Sequence, residues 1–541
     1  MSWVELHVRS AFSMLDGASL PEELARRAAG LGLTSLALTD LDDLGGAVRF
    51  AEGCAEHGVR PIFGAELTLA HGGTVVLLAE DAAGWANLST LVTRARMDRP
   101  RGEPTVDLAR LDRHARGLVC LGAAHEGALQ RIHDLEGPAA AERFAGALAE
   151  IFRGRFYVEV NDHALLEDVE RTRWRLRVAK RLSVPWVVAG DVRHATSADK
   201  LVQDTLQCLK RGTTLAEAGD ALFPNDARRL RAPSEIQRAF IDAPEGVWRT
   251  LEVAERCRFG LSQLRPTLPR FPVPGGGDPD AFLAARVREG ARKRWGERMT
   301  DAHRAQLRHE LSVIRELGMA GYFLIVWDLI RFAARRGVLA QGRGSAANSA
   351  VCYCLGITAV DPIAGGLLFE RFLAEGRQEP PDIDVDLAHQ DREEVLQYVY
   401  DRYGREHAAM VCTQITWRGR SAVRDAARVL GLPTEIADRL AREVGPSVPT
   451  DGPVGTAEGA SAELSHGGLA RAGLDPRSGT ARALVRIVRG LSGLPRHRSI
   501  HVGGFVMTGE PLSSVVPIEP ASMGGHTVIQ WTRTTSGTSA S

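Results

Sequence analysis

The chain has 541 residues, and at about 100–200 residues per domain that length implies roughly three domains. Apolar residues at 44% and charged residues at 25% exclude a wholly disordered, collagen-like or disulfide-scaffold protein. Basic and acidic residues balance at 67 each, so no global field draws the chain to polyanions, and any nucleic-acid role must rest on local patches. Lysine supplies only four of the 67 basic residues, which suggests a GC-rich coding sequence. The seven cysteines are odd in number and form no CxxC pair; this fits a reducing cytosol better than a disulfide framework or a structural zinc site. Glu5, His7 and Arg9 stand where a signal peptide would be apolar. The best apolar run, Tyr322 to Trp327, is cut by Asp328 and is too short for a bilayer. A cytoplasmic protein without a membrane partner is expected.

Residues 1–260 alternate between short apolar runs and helical patterns. Leu36–Thr39, Val75–Leu78, Phe156–Val160 and Trp186–Ala189 read as strands, with a helix near 45–57; this alternation predicts a parallel α/β sheet or barrel. Arg270–Asp280 packs Pro and Gly together as a linker. Beyond it Leu307, Leu311, Ile314 and Leu317 recur at helical spacing up to a stop at Gly318. A strand at Val338–Gln341 leads into Gly342-Arg343-Gly344-Ser345 and a short helix to Gly356. Residues 391–495 read as helical, broken by a Gly/Ser/Pro-rich stretch at 445–468. His501–Thr508 and Thr527–Trp531 look like strands.

The strongest chemical signal is Asp382-Ile383-Asp384-Val385-Asp386. On a strand the three aspartates share one face, about 7 Å apart, while Ile383, Val385 and Leu387 turn to a core. Carboxylates so placed repel unless a cation sits among them, and oxygen clusters favour Mg²⁺ or Mn²⁺. Two such ions about 4 Å apart would clamp the attacking and leaving oxygens of a phosphoryl transfer. An acidic edge strand is the alternative; the alternation favours a metal site, because Asp forms strands poorly without a purpose. Gly342 and Gly344 let backbone approach a ligand closely, a helix N-terminus offers N–H groups to an anion, and Arg343 adds a planar donor for phosphate. Ser345 is read as a second donor or as an ordinary helix cap.

Between residues 402 and 500 there are 15 Arg against 9 Asp and Glu. Arg424 and Arg428 lie one turn apart after Arg418 and Arg420, and Arg482, Arg486 and Arg489 share a face opposite Leu484, Val485, Val488 and Leu491. Spaced arginines track a phosphate backbone without reading sequence, though such stripes are commonly just solvated. His7, Asp40, Glu66 and Asp191 fall at strand ends, where they could hold metals or serve as caps and core groups.

Together these residues resemble the bacterial family C DNA polymerases, the DNA polymerase III α subunit family, and most closely its error-prone, ImuC-like branch. The resemblance is carried by LHVRSAFSMLDGAS (6–19), LALTDLDDLGGAVRF (36–50), GYFLIVWDLIRFA (321–333), AQGRGSAANSAVCYCLGIT (340–358), LLFERFL (367–373), EPPDIDVDL (379–387), RSAVRDAARVLGLP (420–433) and HVGGFVMT (501–508). It implies a PHP-type (β/α) barrel at 1–265 and a linker at 266–280. An α+β nucleotidyltransferase palm follows at 281–415 and 496–531, with a helical thumb inserted at 416–495. By motif match Asp384 and Asp386 are two of three catalytic aspartates holding Mg²⁺, Gly342–Ser345 is the triphosphate-binding loop, and the seven arginines of the thumb grip DNA. The implied partners are primer–template DNA, dNTP, a sliding clamp and accessory translesion proteins.

Two departures stand out. The PHP metal pattern has His-x-His where this chain has His7-Val8-Arg9, Asp-His where it has Asp40-Leu41, and a histidine where Arg193 stands, with His194 adjacent. A metal-free scaffold is expected, against the alternatives of a PHP metallophosphoesterase or 3′–5′ exonuclease and of a non-catalytic DNA-binding remnant. The resemblance also ends at Trp531. The family continues with Asp-Lys-Asp-Asp, and GAC AAG GAC GAC read one base later gives Thr-Arg-Thr-Thr, as in Thr532–Thr535. Residues 532–541 are thus expected to be a disordered tail, frame-shifted or, as the alternative, the genuine end of a short homologue, and the chain, short of the third aspartate and the fingers, to be an inactive truncated form.

Overall fold

A computed structural model of the chain describes residues 3–122, 125–373, 383–388, 390–444 and 464–532, with Val502 described by its backbone alone. Asp382, residues 445–463 and residues 533–541 lie outside them. The described residues divide into two compact units, one of 3–264, 410–504 and 513–532, the other of 265–409 and 505–512. No single helix among them is long and apolar enough to cross a membrane, and all seven cysteines are buried and free.

The first unit holds a six-stranded curled sheet of β1 (Ser35–Leu41), β2 (Arg60–Thr68), β3 (Thr74–Ala79), β4 (Leu118–Gly122), β5 (Phe156–Val160) and β6 (Trp186–Val188), in that spatial order. It is not all parallel, as the alternation predicted: β3 runs antiparallel to both β2 and β4. The cause is the short link between β2 and β3, too brief for the crossover that parallel strands need, which turns on Gly72 and Gly73 at φ 84° and 74°. The segment before β1 spans the sheet's open side, Glu5 bridging Leu36 and Val8 bridging Val192. By alternation Ile62 and Glu66 of β2 share a face, as do Tyr157 and Glu159 of β5. That face is apolar early in each strand, where Ile62 and Tyr157 join Val76, Leu78 and Leu121 in the core, and acidic at the strand ends.

Most of a second sheet lies in the same unit, ordered β10-β9-β12-β11, from β9 (Ala408–Thr416), β10 (Pro495–Met507), β11 (Ile518–Pro520) and β12 (Thr527–Thr532). Strand β9 overturns the helical reading of 391–495. Its run Ala408–Cys412 is buried, and Val411, Thr413, Ile415 and Thr416 are β-branched, which suits a pleated, covered position. Thr532 ends β12 opposite Cys412, so the strand extends one residue into the stretch expected to be a loose tail. Helix Ala82–Met97 packs on this sheet: Trp85 donates to the Val515 carbonyl at 2.9 Å and the Ile518 amide donates to Thr93 Oγ1 at 3.0 Å. Helices Gly419–Val429, Thr434–Glu443, His466–Arg471 and Gly479–Leu491 share one core through Ala422, Ala426, Leu440, Leu484 and Ile487, completed by Val202 and Leu206.

In the second unit, helices Pro279–Arg294, Asp301–Glu316 and Ala320–Arg336 enclose Phe323, Val351 and Phe369. The stretch expected as linker is partly anchored, because Phe271 is buried and stacks on Phe282 at 6.0 Å between centroids. A two-stranded antiparallel sheet, β7 (Ala340–Arg343) with β8 (Asp384–Leu387), lies beside this core.

Candidate functional site

This strand pair brings the glycine loop and the acidic strand together. β7 and β8 are antiparallel, with Arg343 opposite Asp384 and Gln341 opposite Asp386. Ile383 and Val385 pack against the unit's core and Leu387 against Val338 and Val395. Asp384 and Asp386 therefore turn the other way, the first half-buried and the second exposed. Arg343 Nε lies 3.0 Å from Asp386 Oδ1, with the two side chains 63% and 65% exposed. Gly344 has φ 66°, and a Cβ there would stand 3.7 Å from Asp384 Oδ2. Gly342 is needed for a different reason: a Cβ would fall 2.7 Å from the Ile357 carbonyl oxygen, to which the Gly342 amide donates. Carboxylate oxygens that solvent reaches are the hard donors that Mg²⁺ or Mn²⁺ takes, and at Asp386 the Arg343 guanidinium faces the same oxygens.

The expectation that this loop directly opens a helix is corrected. Gly344–Asn348 forms a 3₁₀ turn, and the α-helix begins at Ala350, capped by Ser349 rather than Ser345. Its first amides are already taken by a carboxylate: Glu310 accepts from Ala350 N at 2.9 Å, Val351 N at 3.0 Å and Ser349 Oγ at 2.7 Å, and from Gln306 at 3.0 Å. Glu310 is fully buried, and burial raises its pKa above the ordinary value despite these donors. That helix terminus is thus not an anion site. Glu310 escaped the sequence reading because a Glu in an amphipathic helix looks solvated.

In the first unit a second cluster forms where β2, β5 and the segment after β6 end. His7 Nδ1 is 2.8 Å from Glu159 Oε1, and Nε2 is 2.8 Å from Glu66 Oε2 and 3.7 Å from Asp191 Oδ1. Metal-ligating atoms of His7, Glu66 and Asp191 converge within 4.8 Å. The same oxygens also face guanidinium groups. Arg9 Nε lies 2.6 Å from Glu66 Oε2, and Arg193 lies 2.8 Å from Asp191 Oδ1. Arg9 and Arg193 both pair with Asp16, and Arg228 stands 3.4 Å from Asp191 and 3.6 Å from Glu126. Burial disfavours charged His7, but Glu159, Glu66 and Asp191 outweigh it and hold its pKa well above the ordinary value. Burial also opposes the charge on Glu66, where Arg9 and His7 prevail and keep the pKa well below normal. The oxygens that could serve a cation, those of Glu66 and Asp191, are thus each also faced by a guanidinium.

Asp40 is not brought into that cluster. Its carboxylate accepts from Ser10 N at 2.7 Å, Ser10 Oγ at 2.8 Å and Ser13 Oγ at 2.7 Å. His194 is also directed elsewhere, its Nδ1 2.8 Å from the Thr196 carbonyl. Glu159, Asp16, Glu126 and Arg228 were missed. Only Glu159, a lone charge in the apolar strand Phe156–Val160, left a signal. His125 and His163 were missed too; they pack edge-on at 5.8 Å. Burial first and Arg228 second lower both, His125 to about 4.

Arg418, Arg420, Arg424, Arg428, Arg482, Arg486 and Arg489 are all exposed, the last three opposite the apolar face formed by Leu484, Val488 and Leu491 of their own helix. Some are engaged locally: Arg424 with Asp438 at 3.1 Å, Arg428 with Asp425 at 3.2 Å, and Arg482 with the Arg477 carbonyl at 2.6 Å.

Residues 281–538 match the model of the bacterial DNA polymerase III alpha NTPase domain, and residues 5–163 match that of the PHP domain. The chain is 40% identical to an error-prone DNA polymerase of Anaeromyxobacter dehalogenans (strain 2CP-C), over 98% of this chain and 52% of that protein. It is 41% identical to one of Pseudomonas aeruginosa, over 98% and 49%, and 40% identical to one of Mycobacterium bovis, over 98% and 48%. The chain spans about half the length of the curated relatives it matches.

Proposed function

Since this chain belongs to the bacterial DNA polymerase III alpha family, on its error-prone branch, we propose that it carries the metal-binding half of a templated nucleotidyl transfer. The substrates are a primer 3′-OH and a dNTP on primer–template DNA, and pyrophosphate leaves. The observation that carries this reading is the pairing of β7 with β8, which sets Asp384 and Asp386 on one face across from Arg343. Asp384 and Asp386 would hold Mg²⁺, which supplies electrostatic stabilisation of the reacting oxygens when bound. Arg343 and the loop Gly342–Ser345 orient the triphosphate, Arg343 through its planar fork of donors. The boundaries of PHP domain (1–265), palm (281–415 and 496–531) and thumb (416–495) follow from the family. The exposed arginines of the thumb would contact phosphates of the duplex, and a sliding clamp and accessory translesion proteins are the partners the family brings. The PHP cluster acts as a scaffold without metal or phosphoesterase chemistry, a reading supported by Arg9 and Arg193 at the ligand oxygens.

The test is a Mn²⁺ titration of the 541-residue protein read by EPR, with Asp384→Asn and Asp386→Asn and with primer extension in parallel. Each variant is expected to lose about tenfold or more in Mn²⁺ affinity, the cost of a carboxylate ligand, and any extension the parent supports. Unchanged Mn²⁺ affinity in both variants refutes the assignment.

A further inference from the structure

The side chain that faces Asp386 is the same one that the proposed function needs for the triphosphate. Arg343 donates toward Asp386 Oδ1 at 3.0 Å with both groups about two-thirds exposed. One guanidinium thus stands in the electrostatic place of a cation at one ligand while lying on the loop that meets the nucleotide. The backbone around it is tied at both sides. Gly342 is bound to the Ile357 carbonyl, and Ser349, Ala350 and Val351 are bound to buried Glu310. Release of Arg343 from Asp386 therefore requires only side-chain rotation. Gly344, without a Cβ, keeps the space beside Asp384 open. An ion pair this exposed holds with a preference of only about two- to fivefold, so an incoming dication or polyanion can displace it.

We infer that Arg343 is an exchange residue. It serves as the resident counter-cation of Asp386, competes with a divalent cation for that carboxylate, and leaves it when a triphosphate arrives. Nucleotide binding then favours metal loading, because the group that blocks the one is the group that binds the other, and linkage makes the coupling reciprocal. This rests on the reading of Asp384 and Asp386 as metal ligands.

Mn²⁺ titrations of the full chain test it. Arg343→Gln should bind Mn²⁺ about two- to fivefold more tightly than the parent, the strength of the pair it removes. In an Asp386→Asn background the same substitution should leave Mn²⁺ affinity unchanged. In EDTA, inorganic tripolyphosphate should bind Arg343→Gln more weakly than the parent and Asp386→Asn more tightly. An unchanged or weakened Mn²⁺ affinity in Arg343→Gln, or an equal gain with and without Asp386, overturns the exchange while the metal site stands. If Asp384→Asn and Asp386→Asn keep the parent's Mn²⁺ affinity, the metal-site reading fails first and the exchange falls with it.

Discussion

Arg498→Met should open the second sheet of the first unit from within. Arg498 is 4% exposed; it lies 2.6 Å from Asp43 and 3.0 Å from Glu519. Arg96, 23% exposed, lies 3.2 Å and 3.0 Å from the same two carboxylates. Methionine keeps a long apolar stem, so the substitution deletes charge rather than volume. Breaking a buried pair costs about 3–5 kcal/mol, because the partner is left uncompensated. Arg96 compensates in part, which sets the expectation near the lower end, about 3 kcal/mol. The pH dependence has a definite sign. Burial raises the Glu519 pKa, but Arg498 and Arg96 prevail and hold it below the ordinary value. Its pairing therefore contributes stability above the unfolded carboxyl's pKa, about 4.3, and that contribution is lost as pH falls through the lower folded value. Without Arg498 the carboxyl takes up a proton more easily, so the gap between parent and variant should narrow on acidification. Native-state hydrogen exchange of β11 and β12 amides measures the opening free energy at each pH. A loss below about 1 kcal/mol, the size of a surface pair, or a gap that widens in acid would refute the argument.

Two further outcomes are expected. Elemental analysis of the purified chain should find no stoichiometric zinc or manganese that survives in Asp384→Asn/Asp386→Asn, since Arg9, Arg193 and Arg228 crowd the buried carboxylates; two retained metals per chain would show that the buried cluster ligates after all. Reversing Arg482, Arg486 and Arg489 to Glu should weaken duplex DNA binding equally for unrelated sequences and lower the salt slope by about 0.9 per lost phosphate contact; an unchanged slope would mean that the stripe is only solvated.

Local pattern made much of this legible. The alternation Asp-Ile-Asp-Val-Asp announced a strand with an acidic face, and β8 has that face and the expected apolar contacts. The helix Asp301–Glu316 follows its 3.6-residue repeat, and Gly318 after it has φ 66°. What failed depended on partners distant in sequence. Strand β9 sits between helices and was read as one, because its apolar run becomes a strand only once β10 and β12 flank it. The antiparallel β3 is set by a glycine turn that the strand–helix alternation conceals. Ser345 looked like the cap because it precedes the helix in sequence, yet Glu310, 40 residues before Ala350, fixes where the helix begins.

The two acidic clusters differ in how their charge is met, and the difference follows from solvent. His7, Glu66, Glu159 and Asp191 are all no more than 2% exposed. Each buried ion costs several kcal/mol of hydration, so such carboxylates persist only with cations held permanently against them, here Arg9 and Arg193. A metal ion entering that cluster would have to displace a covalently tethered guanidinium that cannot itself reach water, and its own dehydration would not be offset. Asp384 and Asp386 face solvent in part, where a pair with Arg343 is weak and reversible. The hydration that makes this pair weak also leaves both carboxylates free to trade partners. Charge that is buried and balanced holds a fold together, whereas charge that is accessible and loosely balanced can bind, release and bind again. The proposal that an exchangeable cation sits at the exposed strand pair, and not in the buried cluster with more potential ligands, rests on that ground.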